Sequence, residues 1–308
     1  MQATNTSQYT NSYIGRFAPS PTGPLHIGSM LAALGSYLQA RHQQGKWLVR
    51  IEDLDPPREV PGASDDILRT LERYHLYWDD DIVYQHKRHE RYREILDTLQ
   101  QNQLLYPCTC SRKLIQETAL VGPLGMIYPG TCRVKKTSLS HQYSLRLILP
   151  DTKSVFKDAI QPEINLNLRR EIGDVVLKRA DGFFAYHLAV VVDDNDQQIT
   201  EVVRGSDLLY STPVHLILQY YLEFKTPTYV HLPILLNQKG EKLSKQTGAK
   251  KVDIKNIEST LIFLLQCLGQ KPPADLHDAS VDEILHWATS HWQLQAIPAE
   301  AIIVGPET

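Results

Sequence analysis

Apolar positions near the start of the chain recur with a helical period. Ile27, Met30, Leu31, Leu34 and Leu38 fall at i, i+3, i+4, i+7 and i+11, one face of an α-helix. A short apolar run, Tyr13, Ile14 and Phe17, precedes them, separated from the helix by three prolines and a glycine. Lys46-Trp-Leu-Val-Arg-Ile-Glu52 reads as a buried strand, which Asp53-Leu-Asp-Pro-Pro57 must end. Strand, helix and strand in that order make the first half of a βαβαβ nucleotide-binding unit, whose ligands sit beyond the carboxyl ends of the strands. Arg16 to Ser20 and Glu52 are thereby expected at one crevice.

The same patterning predicts helices over 62–76 and 88–102, with the acidic run Tyr77 to Asp81 as a solvated connection. Strand-like stretches follow at Tyr143 to Leu149 and Asp174 to Lys178. Thr200 to Asp207 reads as a strand and tight turn before a helix from about Leu208 to Leu222. Ile257, Leu261, Leu264, Leu265 and Leu268 outline one late amphipathic helix, with Cys267 on its apolar face, and Val281 to Trp292 another. The fold expected is α/β, a Rossmann-like doubly wound parallel sheet in two halves, residues 1–104 and 173–236. An insertion (105–172) interrupts it, and a loop with a short helical C-terminal region (237–308) follows it.

Composition narrows the class. The 308 residues can bury a sizeable core, and no apolar run approaches the ~18 residues a membrane helix needs. The first residues are polar and carry no signal-peptide pattern. Four cysteines, three of them between Cys108 and Cys132, do not make a disulfide framework, so a reduced, cytoplasmic protein is expected. The net charge of −3 excludes a uniformly basic surface but not RNA binding through a local patch. Lys135-Lys136, Arg169-Arg170 and Lys250-Lys251 are the candidate pairs.

Three stretches carry candidate chemistry. A strand turning through Pro and Gly into a helix start is an anion site, because free N–H groups and the positive end of the helix dipole point at the ligand. His26 adds a donor suited to a phosphate oxygen, and Gly28 would let a nucleotide approach the backbone closely. Asn237-Gln-Lys-Gly-Glu-Lys242-Leu-Ser-Lys245 is a polar loop with three lysines, directly after the apolar run Val230 to Leu236. Cys108-Thr-Cys110 and Tyr128-Pro-Gly-Thr-Cys132 bring three thiols and one harder donor, a set that can close a tetrahedral Zn²⁺ site.

Taken together, His26-Ile-Gly-Ser29 and Lys242-Leu-Ser-Lys245 resemble the two signatures of class I aminoacyl-tRNA synthetases. Arg16-Phe-Ala-Pro-Ser-Pro-Thr-Gly23 and Arg50-Ile-Glu-Asp-Leu-Asp55 look like the glutamyl branch, and the resemblance runs from about Tyr13 to Thr247. One departure is Ser29, where many class I enzymes carry a second His. The resemblance implies ATP- and Mg²⁺-dependent activation of L-glutamate to its adenylate. His26, Gly28, Lys242 and Lys245 would serve the catalytic and ATP-binding roles. Arg16, Phe17, Ala18, Pro19, Ser20, Glu52, Tyr186 and Arg204 would bind glutamate, although periodicity alone makes Tyr186 and His187 core residues. It further implies one structural zinc on Cys108, Cys110, Tyr128 and Cys132.

Discrete glutamyl-tRNA synthetases continue into a large helical region that reads the anticodon, and no room for an anticodon-binding domain is expected here. The chain most resembles truncated members of the branch, monomers that place glutamate on the queuosine base of tRNA(Asp). Two other readings are a minimal synthetase charging the 3′ end of tRNA(Glu) and a non-catalytic paralogue binding glutamate or adenylate. Retention of Lys242 and Lys245 argues against the latter.

Overall fold

The computed structural model describes residues 13–134, 142–243 and 251–305. It opens with β1 (Ile14–Phe17), α1 (Ile27–His42) and β2 (Lys46–Ile51), and β1 and β2 are parallel neighbours. After α2 (Ala63–Arg73), the short β3 (Val83–Tyr84) joins the far side of β2, also parallel, and α3 (His89–Gln101) follows. α1 forms where the periodicity places it. Met30, Leu31, Leu34 and Leu38 are 0–1% exposed, and each such side chain contributes about 1.5–3 kcal/mol by leaving water.

Residues 105–172 pair mostly antiparallel. β4 (Leu105–Cys108) leads into α4 (Arg112–Thr118), the small hairpin β5 (Val121–Gly122) and β6 (Gly125–Met126), and α5 (Thr131–Val134). β7 (Ser144–Leu147) then pairs with β4, and β8 (Lys153–Phe156) with β9 (Ile164–Asn167) as a second hairpin. β10 (Val176–Lys178) completes the sheet β10-β7-β4 from beyond residue 172.

The chain returns to parallel pairing with α6 (Tyr186–Asp196), β11 (Glu201–Gly205), α7 (Thr212–Tyr221) and β12 (Thr228–Leu232), with β11 parallel to β12. Residues 206–211 form a tight 3₁₀ turn, so α7 begins at Thr212, later than expected. Pro213 sits in its first turn, where a missing N–H costs nothing. β11 runs beside β1, where Thr200 N donates to the Ile14 carbonyl and Ile14 N to Thr200 Oγ1. The last elements are β13 (Leu235–Leu236), α8 (Ile257–Cys267), α9 (Val281–Ser290) and β14 (Ile302–Ile303), which returns to pair in parallel with β13.

Strand alternation feeds two cores. Trp47, Val49, Ile51, Val203 and Val230 pack with α1, α8 and α9. Leu48, Val202 and Tyr229 pack with α3, α6 and α7. Period-two side chains divided between two helix layers mark a mixed α/β sandwich. No described helix is long and apolar enough to cross a membrane.

Candidate functional site

The carboxyl ends of β1, β2 and β11 open onto a cavity of about 290 Å³. The Glu52 amide donates to the Pro19 carbonyl, which holds the proline turn after β1 against the end of β2. Arg16 through Ser20, His26, Gly28, Glu52, Tyr186, Arg204 and Lys242 all line this one cavity. Lys245, expected beside them, lies outside the described residues.

At one end is the start of α1. His26 is its N-cap and turns its ring back over the first turn, with Nδ1 accepting from Ser29 N at 3.2 Å and Nε2 3.0 Å from Ser29 Oγ. Ser29, the departure from the usual signature, therefore braces the histidine. A Cβ at Gly28 would come within 3.3 Å of that ring and 3.5 Å of the Leu243 carbonyl oxygen, so a side chain there would press on the histidine. Lys242 pairs with Asp207 at 2.5 Å, which sets its ammonium at the rim.

Beneath the floor lies a buried charge network that local sequence patterns did not reveal. Asp194 accepts from Arg16 Nε and Nη2, at 3.1 and 3.3 Å, and from Arg50 Nη2 at 2.8 Å. Arg50 is wholly buried and also stands 3.6 Å from Glu52 and 3.8 Å from Asp193, which Arg88 neutralises from the other side. Burial alone would raise the Asp194 carboxyl, but Arg16 and Arg50 more than offset this and hold it below the usual range. Glu52 goes the other way. Burial pushes it up to about 7, against the opposing charges of Arg50 and Arg16. Two adjacent aspartates ending the apolar run Leu188 to Val192 were the available signal, since carboxylates buried on a helix require cations.

Tyr186 is the first residue of α6, and its hydroxyl accepts from Arg204 Nη1 at 2.9 Å. His187 turns away from the cavity, toward His215. Farther along, the Sγ atoms of Cys108, Cys110 and Cys132 lie within 4.8 Å of one another and form a group that could hold a metal ion. Tyr128 Oη is 3.4 Å from Cys108 Sγ and from Cys110 Sγ. Cys267 is buried in the α8 core, as its apolar face predicted. Of the basic pairs, Arg169 donates to the Leu149 carbonyl, while Arg170 pairs with Asp151 and Lys251 with Asp66. Lys135, Lys136 and Lys250 lie outside the described residues.

Residues 14–260 match the family model described as tRNA synthetases class I (E and Q), catalytic domain. Among curated relatives, the glutamyl-Q tRNA(Asp) synthetase of Dechloromonas aromatica is 49% identical over 96% of this chain and 98% of its own. That of Chromobacterium violaceum is 50% identical over 93% and 96%, and that of Escherichia coli K12 47% over 94% and 92%. The crystal structure of glutamate-tRNA synthetase from Elizabethkingia anophelis superposes with a TM-score of 0.79 at 25% identity, covering 96% of this chain and 68% of that one. With the first class I signature and Lys242 of the second on one cavity, and these relatives aligned over nearly all of their length, the chain belongs to the glutamyl-Q tRNA(Asp) synthetases, within the glutamyl and glutaminyl family of class I tRNA synthetases.

Proposed function

We propose that this protein activates L-glutamate with ATP to glutamyl-adenylate and passes the glutamyl group to queuosine in the anticodon loop of tRNA(Asp). The observation that carries the reading is the single cavity. A buried carboxylate (Glu52), a guanidinium (Arg16) and a tyrosine hydroxyl face the same space as a helix N-terminus and Lys242. The α-carboxylate of glutamate attacks the α-phosphate of ATP, and pyrophosphate leaves. Carboxylates are ionised at neutral pH, so the step needs placement and charge neutralisation rather than a general base. Mg²⁺ arrives with ATP and neutralises its phosphates. The start of α1 at His26 and Gly28, with Lys242 and Lys245, would hold the nucleotide.

Glu52 would meet the substrate ammonium. Asp194 takes the Nε–Nη2 edge of Arg16, which leaves the Nη1–Nη2 end for the side-chain carboxylate and favours glutamate over glutamine. In this reading the two parallel sheets are halves of one doubly wound sheet, ordered β3-β2-β1-β11-β12. The segment 105–172 is an insertion, 237–308 carries the lysine loop and late helices, and the protein acts as a cytoplasmic monomer.

Queuosine carries a vicinal cis-diol on its cyclopentene ring, chemically like the terminal ribose that such sites normally acylate. An unstacked loop base is also the usual target of RNA recognition. Two outcomes are expected. The protein alone should catalyse glutamate-dependent exchange of pyrophosphate into ATP, without tRNA. Labelled glutamate should then transfer to queuosine-containing tRNA(Asp) even after its 3′ CCA is trimmed. Loss of labelling on trimming, or equal labelling of tRNA lacking queuosine, would instead identify a minimal synthetase acting at the 3′ end.

The cysteine group fits a structural Zn²⁺ closed by Tyr128. A tetrahedral ion with bonds of about 2.3 Å to sulfur keeps its ligand atoms about 3.8 Å apart, and the Cys110–Cys132 and Tyr128–Cys distances are 3.5 and 3.4 Å. Burial and the cysteine thiols raise the Tyr128 phenol, and only the Cys132 N–H on its Oη pulls the other way; the charge of a bound ion would have to displace the phenol proton. With four protein donors, no position remains for a reacting water. The bound ion would only fix the insertion. Metal analysis should find about one zinc per chain, and Cys110→Ser should lower that content and the melting temperature. A zinc-free, fully active protein would reduce the group to buried thiols.

A further inference from the structure

Behind Tyr186, the cavity wall is backed by hydrogen bonds that the reaction itself does not require. Asp158 Oδ2 accepts from His231 Nδ1 at 2.6 Å, while its Oδ1 takes the backbone N–H groups of Ile160, Gln161 and His231. With its Nδ1 proton committed to Asp158, neutral His231 presents a bare Nε2. That atom accepts from Arg204 Nε at 3.0 Å and lies 3.2 Å from the Thr212 hydroxyl. Arg204 is held on its other nitrogens too. Nη2 donates to Thr212 Oγ1 at 2.8 Å and to the Leu208 carbonyl at 3.3 Å. Nη1 donates to Tyr186 Oη at 2.9 Å and lies 3.4 Å from His215 Nδ1. Burial, then the charge of Arg204, holds His215 well below its ordinary value and His187 at about 4, so both rings are neutral.

A guanidinium has five N–H donors, and these partners engage all three nitrogens of Arg204 and fix its orientation at the cavity wall, where the resemblance puts it among the glutamate-binding residues. The Tyr186 hydroxyl is set by this arginine. It already accepts from Arg204, so its own proton is directed to a different acceptor, and the space it borders is the cavity. The order of command runs inward from Asp158, through His231 and Arg204, to Tyr186. Aromatic packing stiffens it, because the Tyr229 ring stacks on His231 with an interplanar angle of 8° and Phe156 meets His231 edge-on.

We propose that Asp158 and His231 are positioning residues for glutamate recognition, locking Arg204 so that the Tyr186 hydroxyl is fixed as a hydrogen-bond donor to the bound amino acid. The inference rests on the glutamate reading of the cavity. It also gives the insertion a second role, since Asp158 follows directly on β8 and reaches the wall of the amino-acid site from there.

The test is glutamate-dependent pyrophosphate exchange, with the melting temperature followed in parallel. His231→Phe removes the acceptor for Arg204 and should raise the KM for glutamate about tenfold or more, with the KM for ATP within about twofold of wild type. His231→Gln offers an amide oxygen to Arg204 and an N–H to Asp158, and should recover most of that loss. Tyr186→Phe should also raise the glutamate KM. Adding His231→Phe to it should cost little more, because both act through one hydroxyl. An unmoved glutamate KM in His231→Phe, or full additivity in the double variant, overturns the inference. So does a parallel rise in both KM values with a lowered melting temperature, which would make the network merely structural. Absence of exchange in the wild-type protein rejects the glutamate reading itself; exchange in wild type with an unaffected His231→Phe rejects the positioning role alone.

Discussion

Replacing Glu52 by glutamine is expected to lower kcat/KM for glutamate in pyrophosphate exchange by about a hundredfold or more, because a buried ion pair with the substrate ammonium loses one partner. The same substitution should leave the fold as stable as wild type, or more so, at pH 8. Burial raises this carboxyl to about 7, above the range of an exposed glutamate. A folded-state value above the unfolded one favours folding only while the group is protonated. That contribution is complete below the unfolded value and disappears as pH rises through about 7. The ionised side chain is therefore a burden at pH 8, on the order of a few kcal/mol, which glutamine removes. The advantage of the variant should shrink toward pH 5. Catalysis supplies the complementary reading. Only the carboxylate meets an ammonium, so wild-type kcat/KM for glutamate should fall by up to about tenfold per pH unit below 7. The variant should lack this limb. A Glu52→Gln protein that melts well below wild type at pH 8, or activates glutamate normally, removes Glu52 from the site.

Arg50→Met is expected to produce the largest loss of stability. Arg50 is 0% exposed and joins Asp194 at 2.8 Å, Gln197 at 2.6 Å, Glu52 and Asp193. Methionine fills much the same volume but leaves three acidic side chains sharing two arginines, Arg16 and Arg88. Breaking a buried ion pair from one side typically costs about 3–5 kcal/mol, since the abandoned charge stays desolvated. Urea denaturation should show a lower midpoint with an unchanged slope. Adding Glu52→Gln should recover part of the loss by removing one of the stranded carboxyls. Arg170, whose side chain is 73% exposed against Asp151, gives the contrast, since its loss should cost about 0–1 kcal/mol. An Arg50→Met midpoint equal to wild type would mean the aspartates are neutral in the folded protein.

What was legible in the sequence follows from range. α1, β2, α8 and α9 lie where apolar periodicity put them, because each pattern is complete within one element. The cysteine cluster was legible for a similar reason, as Cys108, Cys110 and Cys132 lie within one short segment that brings them together. Periodicity assigned Tyr186 to the core, yet it stands at the first turn of α6, where a side chain can reach beyond the buried stripe. The link from Arg16 to Asp194 spans most of the chain, and so does the sheet contact between β1 and β11 that makes it possible. Asp158 and His231 were invisible for the same reason. Each looks like an ordinary strand-end residue until β12 is laid beside the β8–β9 hairpin. The acidic run after α2 is also more than a solvated connection. Within it, Asp79 accepts from the Trp47 amide and from Arg41, anchoring the start of β2.

The pairing of β14 with β13 bears on the order in which the protein is made. Leu235 and Leu236 lead into the lysine loop, and their neighbours Ile302 and Ile303 leave the ribosome well after them. Domains assemble from the N-terminal side during synthesis. The proline turn, Glu52, Tyr186 and Arg204 can thus be in place on a nascent chain while the strand that carries Lys242 toward them still lacks its partner. The stretch that leads to Lys242 is braced by β14 only once that late strand has emerged.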